Sequence, residues 1–481
     1  MIRGTAVAHY LGLLLLLLAS CMLGLLAYTF WYGDPVPFKY SFLITAGTGA
    51  SLYGLFPRPS SELSGREALL LILVIWILVS AFGGLPFYFS PHFPTFTDAF
   101  FEAASGFTTT GATVLANVED LPKAIQFWRC FSHWLGGMGI VLLGIAVLPL
   151  LGLGGMQLYR AEFSGAKSEK LKPRIIGTSL ALWKVYLGLT LAQFVALLWA
   201  GMNSFEAICH TFATMGTGGF STRTSSIGAF NSPRIEYVMV VFMLLAGVSF
   251  VMHHRLWIEW RPKSFFSDPE LRSYLLVMAG ATAAIFLSLM WQNGYSPSLA
   301  FRNSLFQTVS MMTTTGLFTD NFESWKPLPQ LVLLALMFVG GCTGSTAGGL
   351  KVSRILLVYK LIGREFKRMV ERRGVFAIRL GDKVVPEAMI QSLLNLLYLA
   401  FLFNFVSSLL LAATGVDVLT SISAVASTMF NVGPGLGHVG PGNHYGHMPA
   451  LAKWVLSGCM LAGRLEFYAF LVVLTPGFWL K

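Results

Sequence analysis

Charge is what this sequence has least of. Of its 481 residues, 11% are Asp, Glu, Lys or Arg and 55% are hydrophobic, whereas a water-soluble domain carries about 25% charged residues. So few charges cannot cover a water-facing surface, and a lipid bilayer must cover much of this one. Cysteine is also scarce. Cys21, Cys130, Cys209, Cys342 and Cys459 all lie in or beside apolar runs, without CxxC spacing or a histidine at metal-ligand distance. That argues against a disulfide framework or a zinc site and for small buried hydrophobes. HExxH, GxSxG and Walker sequences are missing as well, which removes the familiar constellations of a membrane-embedded enzyme.

The net charge of +11 does not point to nucleic acid, because the basic residues gather in short segments between apolar runs. Segment 152–176 holds Arg160, Lys167, Lys170, Lys172 and Arg174, and segment 253–272 holds Arg255, Arg261, Lys263 and Arg272. Segment 351–383 holds ten Lys or Arg against three acids. Segments in alternation with these carry Asp34, Asp98, Glu119, Asp120, Asp320 and Glu323. The positive-inside rule makes the basic set cytoplasmic, and both termini with it. Ten spans are expected, near 9–31, 38–56, 67–90, 124–151, 177–201, 235–257, 273–292, 328–362, 387–413 and 450–476. Arg3 followed by the leucines from Leu11 to Leu18 has the look of a secretory signal. The apolar stretch runs on to Trp31 without an A-x-A site, so it reads as a retained first helix.

A repeat lies between the spans. Four times, a short apolar segment ends in a run of Thr and Gly: FFEAASGFTTTGATVL from Phe100, SFEAICHTFATMGTGGFSTR from Ser204, LFQTVSMMTTTGLFTD from Leu305, and SISAVASTMFNVGPGLG from Ser421. Each follows one span and precedes another. The apolar part is too short to cross a bilayer, so the chain must enter and leave on one side. Irregular backbone at membrane depth is tolerated only when it is buried in protein or lines a cavity. Four such loops can surround one axis and present a ring of carbonyl oxygens, which can replace the hydration shell of an alkali cation. Glycine supplies the positive φ that aims successive carbonyls inward.

The expected turning points are Gly111, Gly219, Gly316 and Gly433, each with the residues before it: Thr109 and Thr110, Gly218, Thr314 and Thr315, Asn431 and Val432. In the second copy the preceding short helix points to Gly216, whereas the trailing G-x-x-T, shared by Gly219–Thr222 and Gly316–Thr319, points to Gly219. A single TTTG is also what an ordinary turn with a Thr cap contains, and re-entrant repeats occur in secondary transporters too. Nearby acids Asp98, Glu102, Glu206, Asp320, Glu323 and Asp417 would make a cation-gathering vestibule or serve as solvated and helix-N-terminal charges.

Further features lie inside spans. GGCTGSTAGGLK places Gly340, Gly341, Gly344, Gly348 and Gly349 with Thr343, Ser345 and Thr346 mid-way through the span that begins near 328. Such a run breaks a helix and suggests an intramembrane gating loop; a kink with small-residue packing is the competing reading. Arg464 lies deep in the last span with Glu466 two residues on. It is either a movable positive barrier or half of a buried ion pair. Lys184 reads as a snorkelling lysine, His133 as a packed interior histidine, and the His253–His254 pair as helix-capping. The alternation in VFAIRL-GD-KVV suggests a short hairpin after a basic helix that fits anionic lipid or a cytoplasmic partner.

The four loops, the glycine-rich break and the arginine in GRLEFY resemble the Trk/Ktr/HKT superfamily of potassium transporters. The two extra N-terminal spans are like those of its bacterial Trk-type membrane subunits. The resemblance implies an all-α membrane protein with two N-terminal helices (1–60) and four M1–P–M2 repeats around a pseudo-fourfold pore. The repeats would cover 61–152, 153–262, 263–384 with the intramembrane loop and cytoplasmic extension, and 385–481. It implies a potassium selectivity filter at the four glycines, gating by 340–349 and Arg464, and no organic cofactor. It also implies an inner-membrane homodimer regulated by a TrkA-like nucleotide-binding cytoplasmic ring. The Asn431-Val432-Gly433-Pro434 loop departs from the Thr-rich pattern. A proton- or sodium-coupled symporter stands as the alternative. It would need a gate on each side and a titratable or second-ion site, for which Arg464, Glu466, Glu102 and Glu206 are the deep charges.

Overall fold

A computed structural model of the chain describes residues 2–59, 63–146, 171–381 and 383–480. Residues 152–170 of the basic segment expected at 152–176, and the end of the span expected to reach 151, lie outside the described residues. Helices Gly4–Tyr32 and Val36–Leu55 pack on each other as a hairpin. Gly12 and Gly49 let their backbones touch, since a Cβ on Gly12 would come 2.6 Å from the Tyr53 nitrogen. The hairpin is tied to the third helix by Arg3, whose guanidinium meets the Glu67 carboxylate at 2.8 Å. Glu67 also closes a capping box with Ser64 at the start of that helix, Gly65–Gly83.

A long helix, a short helix, an irregular loop and a further helix occur in this order four times. The long helices are Gly65–Gly83, Leu171–Trp199, Pro269–Gln292 and Glu387–Ala413. The short ones are Phe96–Phe107, Ser204–Met215, Pro297–Met312 and Val418–Met429. The helices after the loops begin at Lys123, Pro233, Pro327 and Ala450. Three short helices start on a side-chain cap: Thr95, Asn203 and Asp417 each accept an N–H three residues on. The third starts on Ser296-Pro297 instead. The short helices and loops are buried by the long helices, whose other faces expose Leu191, Leu276 and Phe405 in the manner of lipid-facing surface.

Among the described residues, five helices are long and apolar enough to cross a membrane: Gly4–Tyr32, Gly65–Tyr88, Ser179–Trp199, Pro269–Gln292 and Glu387–Ala413. A sixth candidate is the pair Pro233–Ala246 and Phe250–Trp257, bent by 99°. Several of the ten expected spans are thus bent or broken, as the glycine run within 328–362 suggests for that one, and the cause is local. The helix after the first loop, Lys123–Ala146, is continuous over its described residues, whereas those after the other three loops are interrupted. The expected span 328–362 is a helix Pro327–Val339, a loop, and a second helix Val352–Val370. The expected span 450–476 stops at Arg464, and Glu466 and Phe467 take left-handed φ values of 58° and 54° before Tyr468–Val473. Past the third repeat, Arg379–Leu380 pairs antiparallel with Lys383–Val384, the hairpin that the alternation suggests.

Candidate functional site

The four Thr/Gly loops share one backbone. Gly111, Gly219, Gly316 and Gly433 have φ of 84°, 84°, 74° and 103°. Two residues earlier, Thr109, Thr217, Thr314 and Asn431 have φ of 54°, 53°, 54° and 55°. Left-handed conformations separated by one residue turn successive carbonyls in a common direction. The hydrogen bonds repeat as well. The residue before each glycine (Thr110, Gly218, Thr315 and Val432) donates its N–H to Ser105, Ala213, Ser310 and Ser427 respectively, at 2.8–2.9 Å. This register places Gly219, and not Gly216, in line with the other three; Gly216 is the C-cap of its short helix. It also adds Thr217, which the sequence reasoning left out although the G-x-x-T alignment already put it two residues before Gly219.

The loops close on one another in chain order. A Cβ on Gly111 would run into the Gly218 carbonyl, on Gly219 into the Thr315 carbonyl, and on Gly316 into the Val432 carbonyl. On Gly433 it would lie 2.6 Å from the Thr110 carbonyl oxygen. Each glycine thus abuts the carbonyl before the next glycine, and the fourth returns to the first. A cavity is lined by all four glycines and by residues that follow them, among them Thr113, Phe220, Phe318 and Tyr445. The four short helices end directly before the loops, so the negative ends of their dipoles lead into the ring.

Side chains distinguish the loops. In the first and third, hydroxyl pairs Thr108–Thr110 and Thr313–Thr315 both lie at 2.8 Å. In the fourth, Asn431 Nδ2 donates to Thr110 Oγ1 at 3.0 Å and to the Met460 carbonyl at 3.1 Å. There the Gly433 carbonyl also accepts the Tyr445 hydroxyl at 2.8 Å. His133 is a packed interior residue, with Nδ1 2.8 Å from the Gly106 carbonyl and Nε2 accepting the Phe220 N–H at 3.1 Å.

The expected acidic vestibule is not a field of free carboxylates. Glu102 pairs with Arg129 at 2.7 Å, Glu206 with Arg223 at 2.7 Å, and Asp98 with Lys453 at 2.6 Å. Asp320 accepts from Tyr295, Asn303 and Trp325, and Asp417 caps its helix. Glu119 accepts the Thr224 hydroxyl and N–H, tying the outer ends of the first two loops. Burial works to raise its carboxyl, but the Thr224 hydrogen bonds outweigh it and hold it below the ordinary carboxylate range.

Beneath the loops runs the glycine-rich break. Gly340, Gly344 and Gly349 have φ of 75°, 79° and 75°. Gly341 packs on Ala347, where a Cβ would approach that methyl to 2.6 Å. Its neighbours pin the segment. Glu270 accepts the Thr343 N–H at 2.7 Å and the Ser353 N–H at 3.2 Å. Thr343 Oγ1 meets Ser353 Oγ at 2.6 Å, and Ser345 donates to the Cys342 carbonyl at 2.6 Å. Thr346 donates to the carbonyls of Met215 and Ala246. Gly348 donates to Thr314 Oγ1 at 2.6 Å, and Gly349 to the Phe430 carbonyl at 3.2 Å. Arg464, 3% exposed, donates to the Thr346 carbonyl at 2.9 Å and the Gly136 carbonyl at 3.3 Å. Among the described residues it meets no carboxylate, so the buried ion pair is set aside; Glu466 pairs instead with Arg354 at 2.6 Å. Lys184 is exposed, in a shallow apolar hollow with Val185, Leu189 and Trp257.

Comparison with known proteins adds the family. The family model "TrkH: Cation transport protein" matches residues 38–477. The Trk system potassium uptake protein TrkH of Escherichia coli K12 is 42% identical over 480 residues, covering 98% of this chain and 99% of that protein. Its Vibrio parahaemolyticus counterpart is 43% identical over 483 residues, covering 98% and 99%. The crystal structure of the potassium transporter TrkH from Vibrio parahaemolyticus superposes with a TM-score of 0.92 at 40% identity, covering 99% of this chain and 100% of that one. The chain belongs to the TrkH family of cation transport proteins, and is a membrane transporter rather than an enzyme.

Proposed function

We propose that this protein takes up potassium across the bacterial inner membrane, with the four Thr/Gly loops as its selectivity filter. The observation that carries the reading is the closed cycle in which each of Gly111, Gly219, Gly316 and Gly433 abuts a carbonyl of the next loop. A cycle of this kind fixes carbonyl positions through backbone contact between neighbouring loops. Fixed carbonyls in a low-dielectric surround replace the water shell of one cation size better than another. Short-helix C-termini add negative potential behind the oxygens. The potassium named for the relatives suits this donor set, since oxygen-only ligands favour alkali and alkaline-earth cations over soft metals.

Residues 340–349 with Arg464 are the gate in this reading. A buried guanidinium hydrogen-bonded, among the described residues, to the Thr346 and Gly136 carbonyls puts a positive charge below the ring, where it opposes cation passage. Opening then requires the Thr346 segment and Arg464 to separate. A nucleotide-binding TrkA-like ring at the cytoplasmic face would drive that step, on a homodimer with cytoplasmic termini. The pairing of Glu102 and Glu206 with arginines favours a conduction path over a coupled symporter, because neither acid is a free proton carrier.

The test is rubidium uptake into potassium-loaded liposomes holding the purified protein, with no proton or sodium gradient imposed. Uptake driven by the rubidium gradient alone is expected. Uptake only under an imposed proton or sodium gradient would make the protein a coupled carrier.

A further inference from the structure

We propose that His133 is a positioning residue for ion discrimination, holding the second loop in register; this rests on the reading of the four loops as a filter. The second loop differs from the others immediately before its ring glycine. Thr110, Thr315 and Val432 stand immediately before the ring glycine in loops one, three and four, but loop two has Gly218 there. Two adjacent glycines make loop two the one with the most backbone freedom to lose.

The reason for the exception is steric. A Cβ on Gly218 would fall on Cγ and Nδ1 of the His133 ring. The imidazole therefore occupies the volume that a side chain fills in the other loops. It is fully buried and held at both nitrogens. Because Phe220 donates its N–H to Nε2, the ring proton sits on Nδ1 and is donated to the Gly106 carbonyl; one neutral tautomer satisfies both contacts. Gly106 belongs to the end of the first short helix, and Phe220 directly follows Gly219. A single side chain thus joins the end of the first short helix to the second loop beside the ring.

The same helix grips loop two a second time. Arg129, one turn before His133, lies with its guanidinium 4.1 Å from the Phe220 ring centroid and donates to the Ser221 carbonyl at 3.3 Å. The His133 and Phe220 rings pack with centroids 4.2 Å apart. Phe220–Ser221 is held by packing, by cation–π contact and by hydrogen bonds with Arg129, Cys130 and His133 of one helix. What the second loop lacks in its own side chains is supplied by its neighbour's helix.

Rubidium uptake in liposomes, measured with and without competing sodium, tests this with His133→Ala, His133→Gln, His133→Leu, Gly218→Ala and the His133→Ala/Gly218→Ala pair. His133→Ala and His133→Leu should each lower discrimination against sodium about tenfold, as expected for loss of a buried hydrogen bond that sets geometry. His133→Gln, whose amide oxygen can accept the Phe220 N–H, should retain most of it. Gly218→Ala alone should lose discrimination, and the pair should be no worse than His133→Ala, because the ring that the new methyl strikes is gone. Wild-type discrimination in His133→Leu, equal losses in the Gln and Leu variants, or multiplied losses in the pair would overturn the proposal. Should His133→Ala fail to fold, the Gln and Leu variants, close in volume, decide. Gly316→Ser is run alongside. If it loses discrimination while all His133 variants keep theirs, the filter stands and the role of His133 falls. If it too discriminates like wild type, the filter reading itself fails.

Discussion

Asn431 in the fourth loop donates a hydrogen bond to the Thr110 hydroxyl of the first, 3.0 Å away in space and 321 residues away in sequence. That bond sits where the cycle of loops closes, beside the approach of Gly433 to the Thr110 carbonyl. Asn431→Leu keeps the volume and removes both amide donations, leaving the Met460 carbonyl without this donor. A cost of about 1–3 kcal/mol is expected. Thermal unfolding in detergent should show a lower midpoint, and sodium should compete better with rubidium in uptake.

Arg464 joins the last repeat to the glycine-rich segment through the Thr346 carbonyl. It has no carboxylate among the described residues, and its Nε is buried there without a hydrogen-bond partner. Nothing among those residues compensates its charge at short range, as suits a group that moves. Arg464→Ala should raise cation leak in liposomes without any cytoplasmic partner, read as faster rubidium efflux. An unchanged leak would move the closed barrier elsewhere.

Glu270 anchors the other side of that segment by accepting the N–H groups of Thr343 and Ser353. Glu270→Ala removes the acceptor of two half-buried donors, at about 1 kcal/mol each. Raised leak and a lower unfolding midpoint are expected. Glu270→Gln keeps an acceptor oxygen and should stay near wild type on both counts.

Glu102 and Arg129 are 0% and 1% exposed. Removing one partner leaves an uncompensated charge, at about 3–5 kcal/mol. Arg129→Met should therefore reduce the yield of folded protein sharply, and adding Glu102→Gln should recover part of it. Size-exclusion profiles of the three proteins, compared with wild type, check this.

The organisation of the site was legible where one residue type dictates one backbone. Thr and Gly recurring at four places marked the loops, and the G-x-x-T after Gly219 and Gly316 set the second loop's register against Gly216. The five glycines between Gly340 and Gly349 marked the break, and an arginine among apolar residues marked Arg464. Three things were not legible. Whether a helix after a loop runs on or bends, as at Gly247 and Glu466, depends on what fills the space beneath the ring. The partners of Glu102, Glu206 and Asp98 come from distant helices and loops, and nothing local in the sequence names Arg129, Arg223 or Lys453. Glu270 and His133 sit in unremarkable helical stretches; their importance lies in the backbone groups they meet.

Whether the four glycines form one ion-selecting ring is tested most directly by the reversal potential between potassium and sodium solutions across a planar bilayer. Wild type should give a potassium-selective potential. Ala placed singly at Gly111, Gly219, Gly316 and Gly433 should shift it toward zero at all four sites, because each methyl strikes the next loop's carbonyl. A wild-type potential in any of the four would mean that this loop is not part of the ring that selects the ion.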